Sequence, residues 1–169
     1  RVHPTLMPVG HMLASVHGVF NAVMVRSDLA GDTLYYGRGA GREPTASTVI
    51  GDIADVARNL LHGCAGRVPA LAPASQPPAL KPMQDVRTRY YLRLTVEDKP
   101  GVLARCAAAL GEHNISIASA LQKEVGPQQH VPVVVLTHEA REAEVAEALR
   151  SIDGMEFVGA PTVRLRIEE

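Results

Sequence analysis

Tyr90–Ser119 reads YYLRLTVEDKPGVLARCAAALGEHNISIAS, and two different hydrophobic periods meet inside it. Leu92, Leu94 and Val96 alternate with Tyr91, Arg93 and Thr95, the two-residue period of a strand with one buried face. After Pro100-Gly101 the period changes. Val102, Leu103, Cys106, Ala107 and Leu110 fall three and four apart, so they share one face of a helix beginning at or near Gly101. His113-Asn114 ends that helix, and Ile115, Ile117, Ser119 and Leu121 resume alternation. The stretch predicts strand, helix and strand around a Pro-Gly hinge.

Working downstream, Gly126-Pro127 supplies a turn between Ile115–Lys123 and the apolar run Val131–Thr137. Glu139–Ser151 carries Ala140, Ala143, Val145, Ala146 and Leu149 among charged neighbours, and Gly154 stops it as a helix. Val163, Leu165 and Ile167, interleaved with Arg164 and Arg166, form a last strand. The order βαββαβ predicts an α+β unit over 89–169: a four-stranded antiparallel sheet with both helices on one face, the ferredoxin-like arrangement. Roughly 80 residues make a modest core, so pairing with a second copy through an edge strand would help to cover the open face.

Working upstream, Pro69–Pro82 reads PALAPASQPPALKP, and its prolines fix φ and remove backbone donors. The expectation is a Pro/Ala-rich linker over 67–88, with a reach of roughly 40 Å in the polyproline conformation. Before it, 1–66 is less self-sufficient. Gly18–Val25 and Thr33–Tyr36 read as two strands joined across Ser27–Asp32, and Thr45–Leu61 as a long helix with Val49, Ile53, Val56, Ala57 and Leu60 on one face. Two or three strands and one helix cannot enclose a core alone. Arg1–Pro8 starts inside what reads as a strand, with no initiating methionine, which is the expectation for a fragment of something longer.

Composition excludes several function classes. The net charge is −1, the basic residues are scattered and aromatics are only 4%, so neither a phosphate-tracking stripe nor a base-stacking platform is present and no nucleic-acid partner is expected. No apolar run approaches the roughly 20 residues of a membrane span, and no signal-peptide pattern opens the chain, so the expected place is the cytoplasm. Cys64 and Cys106 have no metal-ligand spacing to each other or to a histidine and read as two buried thiols.

GRGAG at Gly37–Gly41, followed by REPTAS, joins the second strand to the long helix. Its glycines permit tight turning and close backbone approach to a ligand, and Thr45 and Ser47 stand at the helix head, where free amides and the helix dipole receive an anion or a carboxamide oxygen. A complete dinucleotide-binding turn would be GxGxxG, but the sixth residue is Arg42, and a proline-rich segment follows where a second parallel strand belongs. Plain turn chemistry is the simpler account of such a loop. Other catalytic candidates are weaker. His3, His11 and His17 lack the spacing of a metal site, and Asp52 with Asp55 reads as a solvated face rather than an acid-base pair. Residues 1–80 contain no lysine.

HPTLMP at His3–Pro8, LASVHGVFNAV at Leu13–Val23 and YYGRGAGREPTASTVIGDIADVARN at Tyr35–Asn59 resemble the end of the catalytic region of homoserine dehydrogenases. DKPGVLA at Asp98–Ala104 with HNISIAS at His113–Ser119 resembles an ACT domain, a small amino-acid-sensing module. Catalytic end, linker and ACT domain is the order of the monofunctional bacterial enzymes. The resemblance implies an oxidoreductase that moves a hydride between NADP or NAD and aspartate 4-semialdehyde, giving homoserine for threonine and methionine biosynthesis. It implies that the dinucleotide fold and the catalytic lysine lie outside this sequence, so no catalytic residue is expected here. It places Gly39, Ala40 and Gly41, with Thr45 behind them, against the nicotinamide end of the cofactor. For the ACT domain it implies an amino-acid effector such as threonine, held between paired domains by Asp98, Pro100, Gly101, Val102, Leu103 and Asn114. A homo-oligomer formed through the ACT sheet and the catalytic-region strands follows from it. Two alternatives stand beside this reading: a free-standing amino-acid sensor, and a pure dimerisation module.

Overall fold

The computed structural model describes residues 1–66, 79–122 and 130–168. Most of the expected linker and the Gly126-Pro127 turn lie outside these. The chain divides into two compact units, Val9–Ala79 and a second made of Arg1–Pro8 with Leu80–Glu169.

In the second unit β1 (Thr5–Leu6), β4 (Arg87–Glu97), β5 (Ile117–Gln122), β6 (His130–Thr137), β7 (Ala140–Arg141) and β8 (Val158–Ile167) form one sheet, with α2 (Val102–Glu112) and α3 (Glu142–Asp153) on one face. The strand order is β1-β8-β4-β6-β5, and every pair except β1 with β8 is antiparallel. This is the expected βαββαβ sheet with two additions. β1 joins the β8 edge in parallel, Thr5 opposite Arg166 and Leu6 opposite Ile167, so Arg1–Pro8 folds here rather than with the segment expected over 1–66. β7 pairs Arg87 and Thr88 with Arg141 and Ala140. That pairing moves the start of α3 from the expected Glu139 to Glu142, whose amide bonds Val86 O at 2.9 Å.

The core lies between sheet and helices. Tyr90, Leu92, Leu94 and Val96 from β4, Val133 and Val135 from β6, Val102, Cys106, Ala109 and Leu110 from α2, and Val145, Ala148, Leu149 and Ile152 from α3 close on one another. Leu103, expected on the inner helix face, is 41% exposed, and Ala109 takes the buried place instead. Cys106 is buried as expected, and burial pushes its thiol pKa up. Cys64 is exposed, which corrects the expectation of two buried thiols.

Strand β8 reverses the polarity that its alternation implies. Arg164 and Arg166 sit opposite Leu92 and Tyr90, hence on the helix-covered face, while Val163 and Leu165 share the open face with Arg93 and Tyr91. The reason is Glu142 at the head of α3. Its carboxylate, 8% exposed, accepts from Arg166 at 2.7 and 2.9 Å and from the buried Tyr90 hydroxyl at 2.8 Å, and pairs with Arg164 at 3.0 Å. Burial works to raise the Glu142 pKa, but the hydrogen bonds from Arg166 and Tyr90 and the two guanidinium charges overcome it and hold the carboxyl below the usual range. Tyr90 moves upward, through burial first and then through this carboxylate.

Gly159 on β8 is required by packing. A Cβ there would stand 2.5 Å from the His130 ring, so Gly159→Ala is expected to displace that ring and cost about 1–3 kcal/mol. Thermal unfolding checks this, and an unchanged midpoint would show that His130 moves aside freely.

The first unit is built differently. β2 (Phe20–Ser27) and β3 (Gly31–Arg38) pair along eight residues each, from Ser27 opposite Gly31 to Phe20 opposite Arg38. Both strands run closer to the turn than the apolar pattern indicates, because Arg26 and Asp32 pair at 2.8 Å across the ladder and Gly31 supplies φ +69° after a three-residue loop. The Arg26 hydrogen bond holds the Asp32 carboxyl below its usual range. α1 (Arg42–Leu61) starts three residues earlier than expected. Among the described residues of this unit none is buried, and Val49, Ile53, Val56 and Leu60 on α1 are 51–65% exposed.

Candidate functional site

Two places bring sequence-expected residues together. The first is the hinge after β4. Lys99 N bonds Glu97 O at 3.1 Å and Val102 N bonds Lys99 O at 3.3 Å, which turns the chain sharply before α2. Gly101 caps the helix with φ +88°, a left-handed conformation that only glycine adopts without strain, and nothing lies within 4 Å of where a Cβ would be. The amides of Leu103 and Ala104, in the first turn of α2, have no acceptor earlier in the helix. Beside them Lys99 Nζ lies 2.6 Å from Glu97 Oε2, and that bond holds the Glu97 carboxyl below its usual range. Asp98 Oδ1 accepts from Gln122 Nε2 at 2.9 Å, tying the hinge to β5. The hinge therefore offers free amides beside a carboxylate.

Asp98, Pro100, Gly101, Val102 and Leu103 are contiguous here, with Val102 buried and Leu103 turned outward. Asn114 is not with them. It lies past the opposite end of α2, a helix roughly 16 Å long by its residue count. Its φ of +58° is explained by capping: Ile115 N bonds Leu110 O and Asn114 N bonds Gly111 O, both at 3.0 Å, the paired bonds of a left-handed helix stop. Gln122, which holds Asp98, escaped the sequence reading because a polar residue ending a strand carries no periodic signal.

The second place is the glycine loop between β3 and α1. Gly39 N bonds Val19 O at 2.9 Å, and Gly41, with φ +133°, would put a Cβ 3.1 Å from Pro44 Cδ. Thr45 N bonds Gly41 O at 3.1 Å, so the free amides at the head of α1 are those of Arg42 and Glu43, Pro44 having none. Arg42 and Glu43 place opposite charges in that first turn, 3.8 Å apart. Among the described residues no group of three His, Cys, Asp or Glu side chains stands close enough to hold a metal ion. No helix of these residues is long and apolar enough to cross a membrane.

The second unit, with its hinge and its helix-covered sheet, is an ACT domain: residues 90–154 match that family. Residues 1–54 match the homoserine dehydrogenase family, although the first eight of them fold into the ACT sheet. Along its whole length the chain is similar to part of known homoserine dehydrogenases. It is 45% identical, over its whole length, to 40% of a homoserine dehydrogenase of Pseudomonas aeruginosa, and 44% identical, over 99% of its length, to 39% of that of Neisseria gonorrhoeae. A solved homoserine dehydrogenase of Thiobacillus denitrificans covers all of it with a TM-score of 0.86 at 42% identity, the match taking 38% of that chain. An S. aureus homoserine dehydrogenase at 22% identity, TM-score 0.52, shares the fold. The chain spans about two fifths of the length of the curated relatives it matches.

Proposed function

We propose that the chain works as the C-terminal part of an NADP- or NAD-dependent homoserine dehydrogenase, and that its ACT domain answers to an amino acid. The observation that carries this reading is continuous similarity through both units, glycine loop and hinge included, to relatives of that one name. Hydride transfer is the chemistry the dinucleotide supplies when bound. Gly39, Ala40, Gly41 and Thr45 would form one wall at its carboxamide end, and the acid-base groups would come from polypeptide outside this sequence. The unburied apolar residues of α1 support that division, since such a helix completes its burial only against further chain. These 169 residues alone are expected to give no turnover of aspartate 4-semialdehyde with NADPH, whereas a polypeptide of the relatives' length that contains them turns it over. Turnover at enzyme-like rates by the shorter chain would refute the division.

The effector reading rests on the hinge. An amino acid's carboxylate would meet the amides of Leu103 and Ala104, and its ammonium group would meet Asp98 in exchange for Gln122. Asn114 is too far along α2 to join within one copy, so it would come from a paired domain. Two features favour pairing: among the described residues β5 is an open edge, and the sheet face away from the helices carries Tyr91, Val134, Leu136, Val163 and Leu165. Threonine, the end product implied by the family, is the first effector to test, and the cytoplasm is the expected setting. Calorimetry should find one class of threonine site in a dimer, and Gly101→Val should weaken binding on the order of tenfold or more through the strained φ and the lost approach. Silence towards all amino acids would leave pairing as the domain's role.

A further inference from the structure

The glycine loop contains a glycine whose missing side chain is taken up by a neighbour in the chain itself. A Cβ on Gly39 would lie 1.8 Å from Asn21 Nδ2, 2.3 Å from its Cγ and 2.8 Å from its Oδ1. Asn21 stands on β2 directly opposite Gly37, and its carboxamide takes the side-chain place of Gly39 in the loop, leaving that of Gly37 empty. Gly39 N is bonded to Val19 O two residues away, which keeps that stretch of loop against β2. Asn21, Gly37 and Gly39 line one shallow cavity of about 270 Å³ together with Val23 and Tyr35. Within the described residues the Asn21 carboxamide makes no hydrogen bond, which leaves its donors and acceptor open to the cavity.

We propose that Asn21 is a positioning residue for the glycine loop: its carboxamide occupies the space over Gly39 and sets where Gly39–Gly41 meets a bound dinucleotide. The inference rests on the function proposed above for its ligand, but not for its geometry. It also changes the reason for a glycine at 39, which seats a side chain of this chain, while Ala40 and Gly41 carry the approach to the ligand. Because the clashing atoms end an exposed side chain, Gly39→Ala pushes Asn21 aside at little cost in stability and should act as a deletion of Asn21.

Asn21→Ala, Gly39→Ala and the double variant decide it. In the 169-residue chain, the nuclear Overhauser contact between the Asn21 side-chain amide and Gly39 Hα should be present, and Gly39→Ala should abolish it without moving the thermal midpoint. In the enzyme that contains the chain, Asn21→Ala should raise the KM for the dinucleotide on the order of tenfold with kcat within about twofold, and the double variant should be no worse than Gly39→Ala alone. Asn21→Asp, which keeps the shape, should recover most of the loss. Additive effects, or an Asn21→Ala enzyme with unchanged KM, would overturn the proposal. Absence of the amide-to-Gly39 contact in the chain would do so as well. A wild-type enzyme that binds dinucleotide yet does not reduce aspartate 4-semialdehyde would instead refute the proposed function, leaving the contact and the binding constants to judge Asn21.

Discussion

Glu142→Ala is expected to destabilise the ACT unit by about 3–5 kcal/mol, because it leaves two guanidinium groups and a tyrosine hydroxyl facing each other without their shared acceptor. For a unit of this size that is a fall of more than about 10 °C in Tm. Arg164 and Arg166 lie on the helix-covered face and are only 31% and 15% exposed, so water replaces the lost carboxylate poorly. The same carboxylate gives the unit a pH dependence whose sign follows from its lowered pKa. Its contribution is fully present above the unfolded value of about 4.3 and is lost as the pH falls through the lower folded value. Acid titration of unfolding should therefore be steeper for the wild type than for Glu142→Gln in that window. Equal slopes would mean that Glu142 is not ionised in the folded state.

A second large loss should come from Leu94→Ala, about 2–5 kcal/mol. Leu94 is wholly buried in the middle of β4, paired with Val133 on one side and covered by the helices. Ile53→Ala is the contrast. Ile53 is 63% exposed on α1, in a unit with no buried described residue, so the same kind of truncation should leave the midpoint within about 0.5 kcal/mol. Chemical denaturation of the two variants separates them, and a comparable loss from Ile53→Ala would mean that α1 has found cover in solution.

The ACT unit was legible in the sequence where burial sets a period. Leu92, Leu94 and Val96 announce β4, and the three-and-four spacing after Gly101 announces α2, because each element buries one face in a single core. The arginines of β8 show where the pattern misleads. Their alternation with Val163, Leu165 and Ile167 is real, yet Glu142, 22 positions before Arg164, turns the charged set inward, and no local window contains both partners. β1 and β7 are two residues long, below the length at which any period exists. Asn114 was noticed as a polar residue after a helix, but its left-handed backbone gives it a capping duty that its side-chain chemistry does not reveal. Gln122 and Asn21 are single polar side chains, whose importance appears only when the residue each one touches is known.

The short parallel pairing of β1 with β8 has a consequence for assembly on the ribosome. Thr5 leaves the exit tunnel about 160 residues before its partner Arg166 does, so this edge of the sheet closes only when synthesis of the unit is nearly over. Until then β1 has no partner in this sheet, and its pairing waits, with that of β4, for β8 to be made.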